Sequence, residues 1–558
     1  MRPVDALLEI LRSEGVDRVF GNPGTTELPF IDALLDAPDL PYVLGLQEGS
    51  VVAMADGYAR ATGRPALVSL HVAAGVANGL IGMLNARRSR TPMVVVAGQQ
   101  DRRHLVQDPM LSGDLVGIAA PASKSAVEVQ HAYDLPVVLR RAFALAGQPP
   151  AGPVFVAVPM DLLEEEMSVE VPARSSVAPQ GAAGEVDRAV AVLAAAARPA
   201  IVAGDGVGRD GAVEPLVAVA ERLGATVYHQ PMNDGIDFPG NHPLYAGMLL
   251  PRNAAIHDAL ARHDVVFVVG THAFMAHHYT PGPSVPGGAK VVQLDTDPAE
   301  VGRNFTVHVG LVGALAPTLE ALAAELDGQV PEAAARLAAV ADATAAERAE
   351  TDAAARARYG QAPLDPLAAA HVIATALPGD AVMVEEAITV GTKLRTVLRQ
   401  DRPGSYVHTV GGGLGWGIGA AVGSAMGRPD RPVAAVLGDG CAMFGIQGLW
   451  SAARYQVPVA FLVMNNGEYR ILKETLDESK SRSTAQGRYV GLDLQPPALD
   501  WVAAAHCFGI PALRVAGPAD LRDAVAGIAA LDGPLLVEVP ITGHDDEHGG
   551  PGARGAER

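Results

Sequence analysis

Short apolar segments recur along this sequence, and each is followed by a glycine-marked turn and then by helical periodicity. Examples are "PALVSL" in the first third of the chain, "DVVFVVG" in the middle and "PVAFLVMNN" near the end. Continuous runs of Val, Ile and Leu that alternate with helices are typical of parallel strands buried on both faces of a sheet. The pattern therefore predicts an α/β protein built from doubly wound parallel sheets.

Breaks in this pattern divide the chain into three consecutive domains. We expect a first domain over 1–165, a central domain over 185–330 and a third domain over 363–541, with 542–558 as a disordered tail. The stretch 166–184 is rich in Pro, Ser, Ala and Gly, which favours a linker. The first and third domains have similar size and build, which suggests a duplicated sheet architecture.

The charge balance argues against several classes of partner. The 558 residues include 42 Lys and Arg against 62 Asp and Glu, a net charge of −20, which disfavours nucleic acid and anionic membranes as partners. No run reaches the ~20 uninterrupted apolar residues of a membrane helix, and the chain starts as an amphipathic helix rather than a signal peptide. The two cysteines, Cys441 and Cys507, lack metal-ligand spacing. We therefore expect a cytoplasmic protein.

Two polar motifs follow neighbouring predicted strands of the third domain. "AVLGDG" ends one strand and "LVMNNGEY" ends the next, so that Asp439 and Asn466 are 27 residues apart. Ligands of open α/β sheets bind at such carboxyl ends. A carboxylate, an amide oxygen and the main-chain carbonyl of Glu468 would form an oxygen half-shell, which suits Mg²⁺ when diphosphate oxygens complete it. Gly438 and Gly440 would let the anion approach the backbone at a helix start.

The central domain provides a comparison for this motif. "AGDGVG" at 203–208 also follows a strand, but no Asn pair ends the next strand. Its glycine spacing resembles a dinucleotide loop, yet the following strand has no acidic residue to hold a ribose, which argues against nicotinamide binding. The alternative for Asp439 and Asn466 is a helix-capping aspartate and a turn asparagine. Their paired spacing favours the metal–diphosphate site.

Gly-Asp-Gly followed about 27 residues later by Asn-Asn is the signature of thiamine diphosphate (ThDP) enzymes. The segments "NPGTTELPF", "LQEGSVVAMADGYARATGRPALVSLHVAAG" and "GGGLGWGIGAAVG" resemble those of benzoylformate decarboxylase and its acetolactate synthase-like relatives. The resemblance covers residues 1 to about 541. It implies pyrimidine-binding, central and diphosphate-binding domains, in that order, with ThDP and Mg²⁺ as cofactors.

The resemblance also implies which residues hold the cofactor. Glu48, in "LQEGS", would contact the aminopyrimidine ring and promote formation of the thiazolium ylid. Gly412 would present a main-chain carbonyl to the exocyclic amine, and Leu414 would be the apolar wedge that bends the cofactor. Thr389 would be a further cofactor contact. The alternatives are a helix-start charge for Glu48 and a core position for Leu414.

Three further residues match positions that act on substrate in the family. His71 matches a catalytic histidine that relays protons, although a hydrogen-bonded histidine beside a tightly packed helix is the alternative. Thr25 stands where the family has a serine that binds the substrate carboxylate, and a helix-capping threonine fits the same pattern. In "FMAHHYTPG", His277 aligns with a second catalytic histidine, and the adjacent His278 is the other candidate.

The segment "EYRILKETLDES" is expected to line the mouth of the substrate pocket. The resemblance places Ile471, Leu472 and Thr475 there, together with His408. Thr475 and His408 replace aromatic residues of the benzoylformate enzyme, and charged residues flank Thr475 in sequence. A more polar pocket is therefore implied, and the acyl donor need not be benzoylformate.

The reaction implied by the resemblance is non-oxidative decarboxylation of a 2-keto acid to an aldehyde, through ylid addition and an enamine intermediate. Carboligation, in which the enamine attacks a second carbonyl, is one alternative, and cleavage of 2-hydroxy ketones or 2-hydroxyacyl-CoA is another. FAD in the central domain is left open but is not expected. Because Glu48, Asp439 and Asn466 are all present, a non-catalytic ThDP-binding protein is disfavoured. Active sites at a homodimer interface, within a homotetramer, are also implied.

Overall fold

The computed structural model of the chain describes residues 1–272, 274–277 and 279–544. Three six-stranded sheets follow one another along this part of the chain, and the strand pairs within them are parallel. The prediction of three consecutive parallel-sheet domains is confirmed. Within the described residues, no helix combines the length and apolar character that a membrane crossing requires.

The first sheet spans the amino-terminal domain. Its strands are β1 (Val19–Gly21), β2 (Tyr42–Leu44), β3 (Ala66–His71), β4 (Met93–Gln99), β5 (Ser125–Glu128) and β6 (Pro153–Pro159). The helices are α1 (Pro3–Ser13), α2 (Leu28–Ala33), α3 (Glu48–Thr62), α4 (Val72–Arg88), α5 (Leu115–Ala119), α6 (Leu135–Gly147) and α7 (Met160–Glu164). The strand order is β2-β1-β3-β4-β6-β5.

The central sheet contains β7 (Pro199–Ala203), β8 (Thr226–His229), β9 (Tyr245–Met248), β10 (Val265–Val269), β11 (Lys290–Asp295) and β12 (Val309–Val312), in the order β12-β11-β10-β7-β8-β9. The helices are α8 (Val186–Ala194), α9 (Gly206–Arg209), α10 (Val213–Leu223), α11 (Asn253–Leu260), α12 (Leu315–Leu326) and α13 (Ala333–Arg356). Along β7, Ile201 belongs to one apolar core and Val202 to another. Since successive strand residues face opposite ways, the sheet is buried on both faces.

The third sheet contains β13 (Val382–Glu386), β14 (Tyr406–His408), β15 (Val433–Gly438), β16 (Val459–Asn465), β17 (Ala512–Arg514) and β18 (Leu535–Pro540). The helices are α14 (Pro366–Ala376), α15 (Ile388–Val397), α16 (Trp416–Gly427), α17 (Asp439–Phe444), α18 (Gly448–Arg454), α19 (Arg470–Glu478), α20 (Arg482–Gln486), α21 (Trp501–Cys507) and α22 (Pro518–Ala526). The strand order is β14-β13-β15-β16-β18-β17. Short 3₁₀ turns occur at Thr25–Glu27, Leu34–Asp36, Leu105–Gln107, Ala120–Ala122, Ala132–Asp134 and Gly527–Ala530.

The first and third sheets have the same topology. Numbered within its own domain, each sheet has the strand order 2-1-3-4-6-5, whereas the central sheet has the order 3-2-1-4-5-6. The duplicated architecture that the sequence suggested is therefore present. It makes His71, the last residue of β3, the counterpart of Gly438, the last residue of β15.

The described chain forms two compact units. One unit contains Met1–Ser175, Arg358–Lys393 and the chain from Gly411 onward, and the other contains Ser176–Ala357 and Leu394–Val410. The first unit therefore holds the first domain together with most of the third.

Glycines join the two domains of the first unit by letting α3 and α16 pack backbone against backbone. A Cβ atom on Gly57 of α3 would lie 2.0 Å from the main-chain oxygen of Ala420, and one on Gly423 of α16 would lie 1.8 Å from that of Met54. No side chain fits at either position without separating the helices.

The end of the described chain differs from the sequence-based expectation. Residues 542–544 were expected to begin a disordered tail, but Thr542 and His544 are buried. The guanidinium of Arg470 donates to the main-chain oxygen of Thr542 at 2.7 Å, which fixes this segment against α19. The remainder of the predicted tail, 545–558, lies outside the described residues.

Replacing Gly423 with alanine should destabilise the protein, because the added methyl group overlaps the α3 backbone. We expect a loss of about 1–3 kcal/mol in the free energy of unfolding, measured as a lower thermal transition. Gly147, at the end of α6, is the matched control, since a Cβ atom there would meet nothing within 4 Å. Gly147→Ala should be neutral or slightly stabilising. Equal transitions for the two variants would contradict the close helix packing.

Candidate active site

A cavity that opens to solvent lies at the carboxyl ends of β13, β15 and β16 in the third domain. Parts of its wall come from the starts of α15, α17 and α19, where main-chain N–H groups favour anions. The structure brings most of the predicted cofactor and metal residues together in this wall: Thr389, Leu414, Gly438, Asp439, Gly440, Asn466 and Glu468.

Asp439 is a buried carboxylate at the first position of α17. Its Oδ1 accepts a hydrogen bond from the main-chain N of Gly440 at 2.8 Å, and its Oδ2 accepts one from that of Gly467 at 2.7 Å. Burial raises the pKa of Asp439 to about 6, and these hydrogen bonds act in the opposite direction. A carboxylate can accept about four hydrogen bonds, so the two oxygens keep lone pairs for a cation.

Asn466 and Glu468 supply the other two predicted oxygens. The amide oxygen of Asn466 accepts from the main-chain N of Glu468 at 3.2 Å, which orients the side chain. The carboxylate of Glu468 is bound by the ammonium group of Lys473 and by the main-chain N of His544. Because both oxygens of the Glu468 side chain already have partners, its main-chain carbonyl is the better candidate for a metal ligand.

This donor set fits Mg²⁺. One carboxylate, one amide oxygen and one main-chain carbonyl are hard oxygen ligands, which is the chemistry that Mg²⁺ prefers. Across the described residues, no group of three or more His, Cys, Asp or Glu side chains could hold a metal ion by itself. A divalent ion here would therefore draw its remaining ligands from phosphate oxygens and water.

The glycine-rich loop before α16 is held at its carboxyl end by Glu386. The carboxylate of Glu386 accepts from the main-chain N of Trp416 at 3.1 Å and from that of Gly417 at 2.9 Å. Burial raises the pKa of Glu386 to about 8. Within the loop, Gly412 has a φ of +76°, which favours glycine although a Cβ atom would meet nothing within 4 Å.

His71 ends β3 at the equivalent edge of the first sheet. Its Nδ1 lies 2.8 Å from Oε2 of Glu27 and 3.1 Å from the hydroxyl of Thr26. The Glu27 carboxylate also accepts from the main-chain N of Gly24 and that of Gly98, both at 2.9 Å. Because donors surround this carboxylate, Nδ1 of His71 carries the proton, and Nε2 is the ring atom that can exchange one.

Glu27 is a residue of this candidate site that the sequence analysis missed. It stands three residues after Gly24 in "NPGTTE", a spacing that indicates a local helix-start contact. Its partner His71 is 44 residues away and reaches it because β1 and β3 are neighbours in the sheet. A Cβ atom on Gly24 would lie 2.3 Å from the His71 ring, so this glycine is part of the same arrangement.

Glu48 is buried at the first position of α3. Its carboxylate accepts from the side-chain amide of Asn22 at 3.1 Å and from that of Asn78 at 3.0 Å. In α4, a Cβ atom on Gly82 would lie 2.7 Å from the side chain of Val52 in α3. The small residues after His71 therefore serve close helix packing, the alternative considered for this strip, and they bring α4 against Glu48.

The predicted pocket-mouth residues are placed differently from one another. Ile471 lines the cavity. Leu472 is 47% exposed, and the hydroxyl of Thr475 donates to the main-chain oxygen of Ile471 at 2.8 Å, within α19. Neither Leu472 nor Thr475 belongs to the described wall. Thr25 is exposed at the start of its 3₁₀ turn, and its neighbour Thr26 is the residue that contacts His71.

The charged residues of α19 are held by ion pairs, and one of them, Arg470, is also part of the cavity wall. Arg470 is 3% exposed and pairs with Glu474 at 2.8 Å. Lys473 is 4% exposed and binds Glu468 and Asp493. These charges are neutralised by internal ion pairs.

Two predicted residues lie in the other compact unit. His277 is exposed, and its main-chain N donates to the main-chain oxygen of Pro251 at 2.8 Å. His408 ends β14, is buried, and has its Nε2 3.2 Å from the guanidinium of Arg395. His278, the other histidine candidate, lies outside the described residues.

Comparison with known proteins identifies the family. The chain matches three thiamine pyrophosphate enzyme domains: the N-terminal TPP binding domain over 1–116, the central domain over 186–322 and the C-terminal TPP binding domain over 389–539. The chain belongs to the thiamine pyrophosphate enzymes. The family resemblance predicted from sequence is therefore confirmed.

Relatives within this family include decarboxylases and a carboligase. Benzoylformate decarboxylase of Pseudomonas aeruginosa is 36% identical and covers 96% of this chain and 98% of its own. The 4-hydroxybenzoylformate decarboxylase of Rhodococcus jostii superposes with a TM-score of 0.84 at 32% identity, over 97% of this chain and 99% of its own. Glyoxylate carboligase of Escherichia coli is 28% identical over 97% of this chain and 93% of its own.

Asp439→Asn should weaken Mg²⁺-dependent binding of ThDP by at least about 10–100-fold. Mutation of residues that only orient metal ligands already lowers metal affinity by about that factor. Glu468→Gln is the control, since the proposed ligand there is the main-chain carbonyl. It should change the affinity by less than about threefold, because the amide keeps an acceptor oxygen. Calorimetric titration of metal-free protein measures both. A larger loss for Glu468→Gln than for Asp439→Asn would contradict the assigned ligands.

Proposed function

We propose that this thiamine pyrophosphate enzyme decarboxylates a 2-keto acid to the aldehyde, with Mg²⁺ bound by Asp439, Asn466 and the main-chain carbonyl of Glu468. When bound, ThDP would supply the nucleophilic carbon and hold the electron pair that departing CO₂ leaves behind. The observation that carries the proposal is the contact between His71 and Glu27. Aldehyde release requires delivery of a proton to carbon, and a histidine held in one tautomer by a buried carboxylate is suited to deliver it.

The other residues have roles that follow from their surroundings. Glu48, oriented by the amides of Asn22 and Asn78, would hold the aminopyrimidine ring. Leu414 and Ile471 give the cavity apolar walls, which limit water around the reacting carbon. These walls would protect the reacting carbon from uncontrolled protonation.

Substrate contacts are assigned to two more residues. Thr25 is exposed, and we assign its hydroxyl to binding of the substrate carboxylate. We assign His277 as the second proton-transfer group. We assign no substrate contact to His408, Leu472 or Thr475, because His408 is buried against Arg395 and the other two lie outside the cavity wall.

Glu48 supports the proposal of a homodimer at least, and of a homotetramer built from such dimers. In a single chain, Glu48 and His71 do not belong to the described wall of the diphosphate cavity. One cofactor molecule must contact both Glu48 and the Asp439 site. A second copy of the chain would supply the missing carboxylate, as isologous dimer contacts allow.

Carboligation is the second candidate function, and the similarity to glyoxylate carboligase favours it. A carboligase must exclude the proton and admit a second carbonyl compound. The proton-bearing His71–Glu27 pair favours aldehyde release instead.

A panel of 2-keto acids tests the function directly. The holoprotein would be given benzoylformate, 4-hydroxybenzoylformate, pyruvate and glyoxylate, and CO₂, aldehyde and 2-hydroxy ketone would be measured together. We expect equal amounts of CO₂ and aldehyde from at least one acid. A 2-hydroxy ketone as the main product would establish the carboligase instead, and no CO₂ from any 2-keto acid would refute both.

His71→Ala should slow turnover by roughly 10²–10⁴-fold while leaving ThDP bound, because it removes the proton-transfer group. Glu27→Gln should lower kcat more than it changes KM, since the amide can no longer accept from every donor around it. His506→Ala, at an exposed histidine of α21, is the control and should keep full activity. Steady-state kinetics at equal cofactor content measures kcat and KM for each variant. A decrease in kcat below threefold for His71→Ala would show that His71 is a packing residue.

A further inference from the structure

Asn85, near the end of α4, makes two hydrogen bonds to one residue of the glycine-rich loop. Its side-chain Nδ2 donates to the main-chain oxygen of Gly413 at 2.8 Å, and its Oδ1 accepts from the main-chain N of Gly413 at 2.9 Å. Asn85 is only 2% exposed. The amide therefore pairs with the loop as a neighbouring strand would, and the contact is shielded from water.

The loop is shaped to lie against this amide. A Cβ atom on Gly411 would lie 2.3 Å from Oδ1 of Asn85, and one on Gly413 would lie 2.5 Å from the side chain of Ile81, one turn earlier in α4. Glycine is therefore required on both sides of Gly412. Gly412, whose φ is +76°, therefore lies between two residues that both contact α4.

We propose that Asn85 is a positioning residue for the ring half of the cofactor. The proposal rests on the proposed function and on the cofactor contacts that the family resemblance implies, with Gly412 at the aminopyrimidine and Leu414 as the wedge that bends the cofactor. A run of three glycines has many accessible conformations, so ordering it on binding would lower affinity. Asn85 removes that cost by holding the loop in one conformation before the cofactor arrives.

The diphosphate half of the cofactor does not depend on this contact. Its proposed anchors are Asp439, which follows β15, and Asn466, which follows β16. Each is oriented by hydrogen bonds that do not involve Asn85. The role of Asn85 therefore predicts a selective effect. Losing the amide should weaken binding of the complete cofactor and spare binding of the diphosphate alone.

The test compares ThDP with inorganic pyrophosphate, each with Mg²⁺, on the full-length protein. Asn85→Ala removes both hydrogen bonds, and Asn85→Asp keeps the size of the side chain but cannot donate to the Gly413 oxygen. Each variant should bind ThDP roughly tenfold more weakly, as expected for one or two net hydrogen bonds, and pyrophosphate within about twofold of wild type. Calorimetric titration of each ligand measures both affinities.

Met83→Ala is the matched control, because Met83 is fully buried in the same helix and has no hydrogen bond to the loop. It should lower the thermal transition and leave both affinities unchanged. Unchanged ThDP affinity in both Asn85 variants, or equal losses for ThDP and pyrophosphate, would overturn the proposed role. A wild-type protein that binds pyrophosphate but no ThDP would refute the proposed function itself, and the role of Asn85 with it.

Discussion

The close approach of α3 and α16 is the contact on which the active-site arrangement depends. Main-chain atoms of the two helices meet at Gly57 and Gly423, which leaves no room for a slipped register. Each helix begins at an element of the proposed site: α3 starts with Glu48, and α16 starts directly after the loop that carries Leu414. The packing of one helix pair thus sets where both elements lie within a chain.

A second helix reinforces this arrangement. Helix α4 follows His71 without a break, lies against Glu48 through Gly75, and ends beside the glycine-rich loop at Asn85. A helix of 17 residues therefore connects His71, the proposed proton-transfer histidine, with the glycine-rich loop of the third domain. In the proposed dimer, the two ends of this helix would belong to different active sites.

The sequence predicted the three sheets because their strands are continuous apolar runs, and it located Asp439 and Asn466 because each follows its own strand directly. It could not predict contacts between distant segments. In the sequence, Glu27 has the position of a local helix-start residue. Its contact with His71 becomes evident only when β1 and β3 lie side by side in the sheet. The charges on α19 suggested a polar pocket, but the sequence could not show that Arg470 also binds the main-chain oxygen of Thr542 or that Lys473 binds Asp493, since only the folded chain brings these partners near.

The central claim is that one cofactor is held by Glu48 of one chain and by Asp439 of another. Mixed dimers test it most directly. Chains carrying Glu48→Gln and chains carrying Asp439→Ala should each be inactive alone. A purified heterodimer of the two would contain one intact site and one doubly altered site, so it should recover about half of the wild-type activity per dimer. A heterodimer no more active than its parents would show that both anchors must come from the same chain, and would contradict the account.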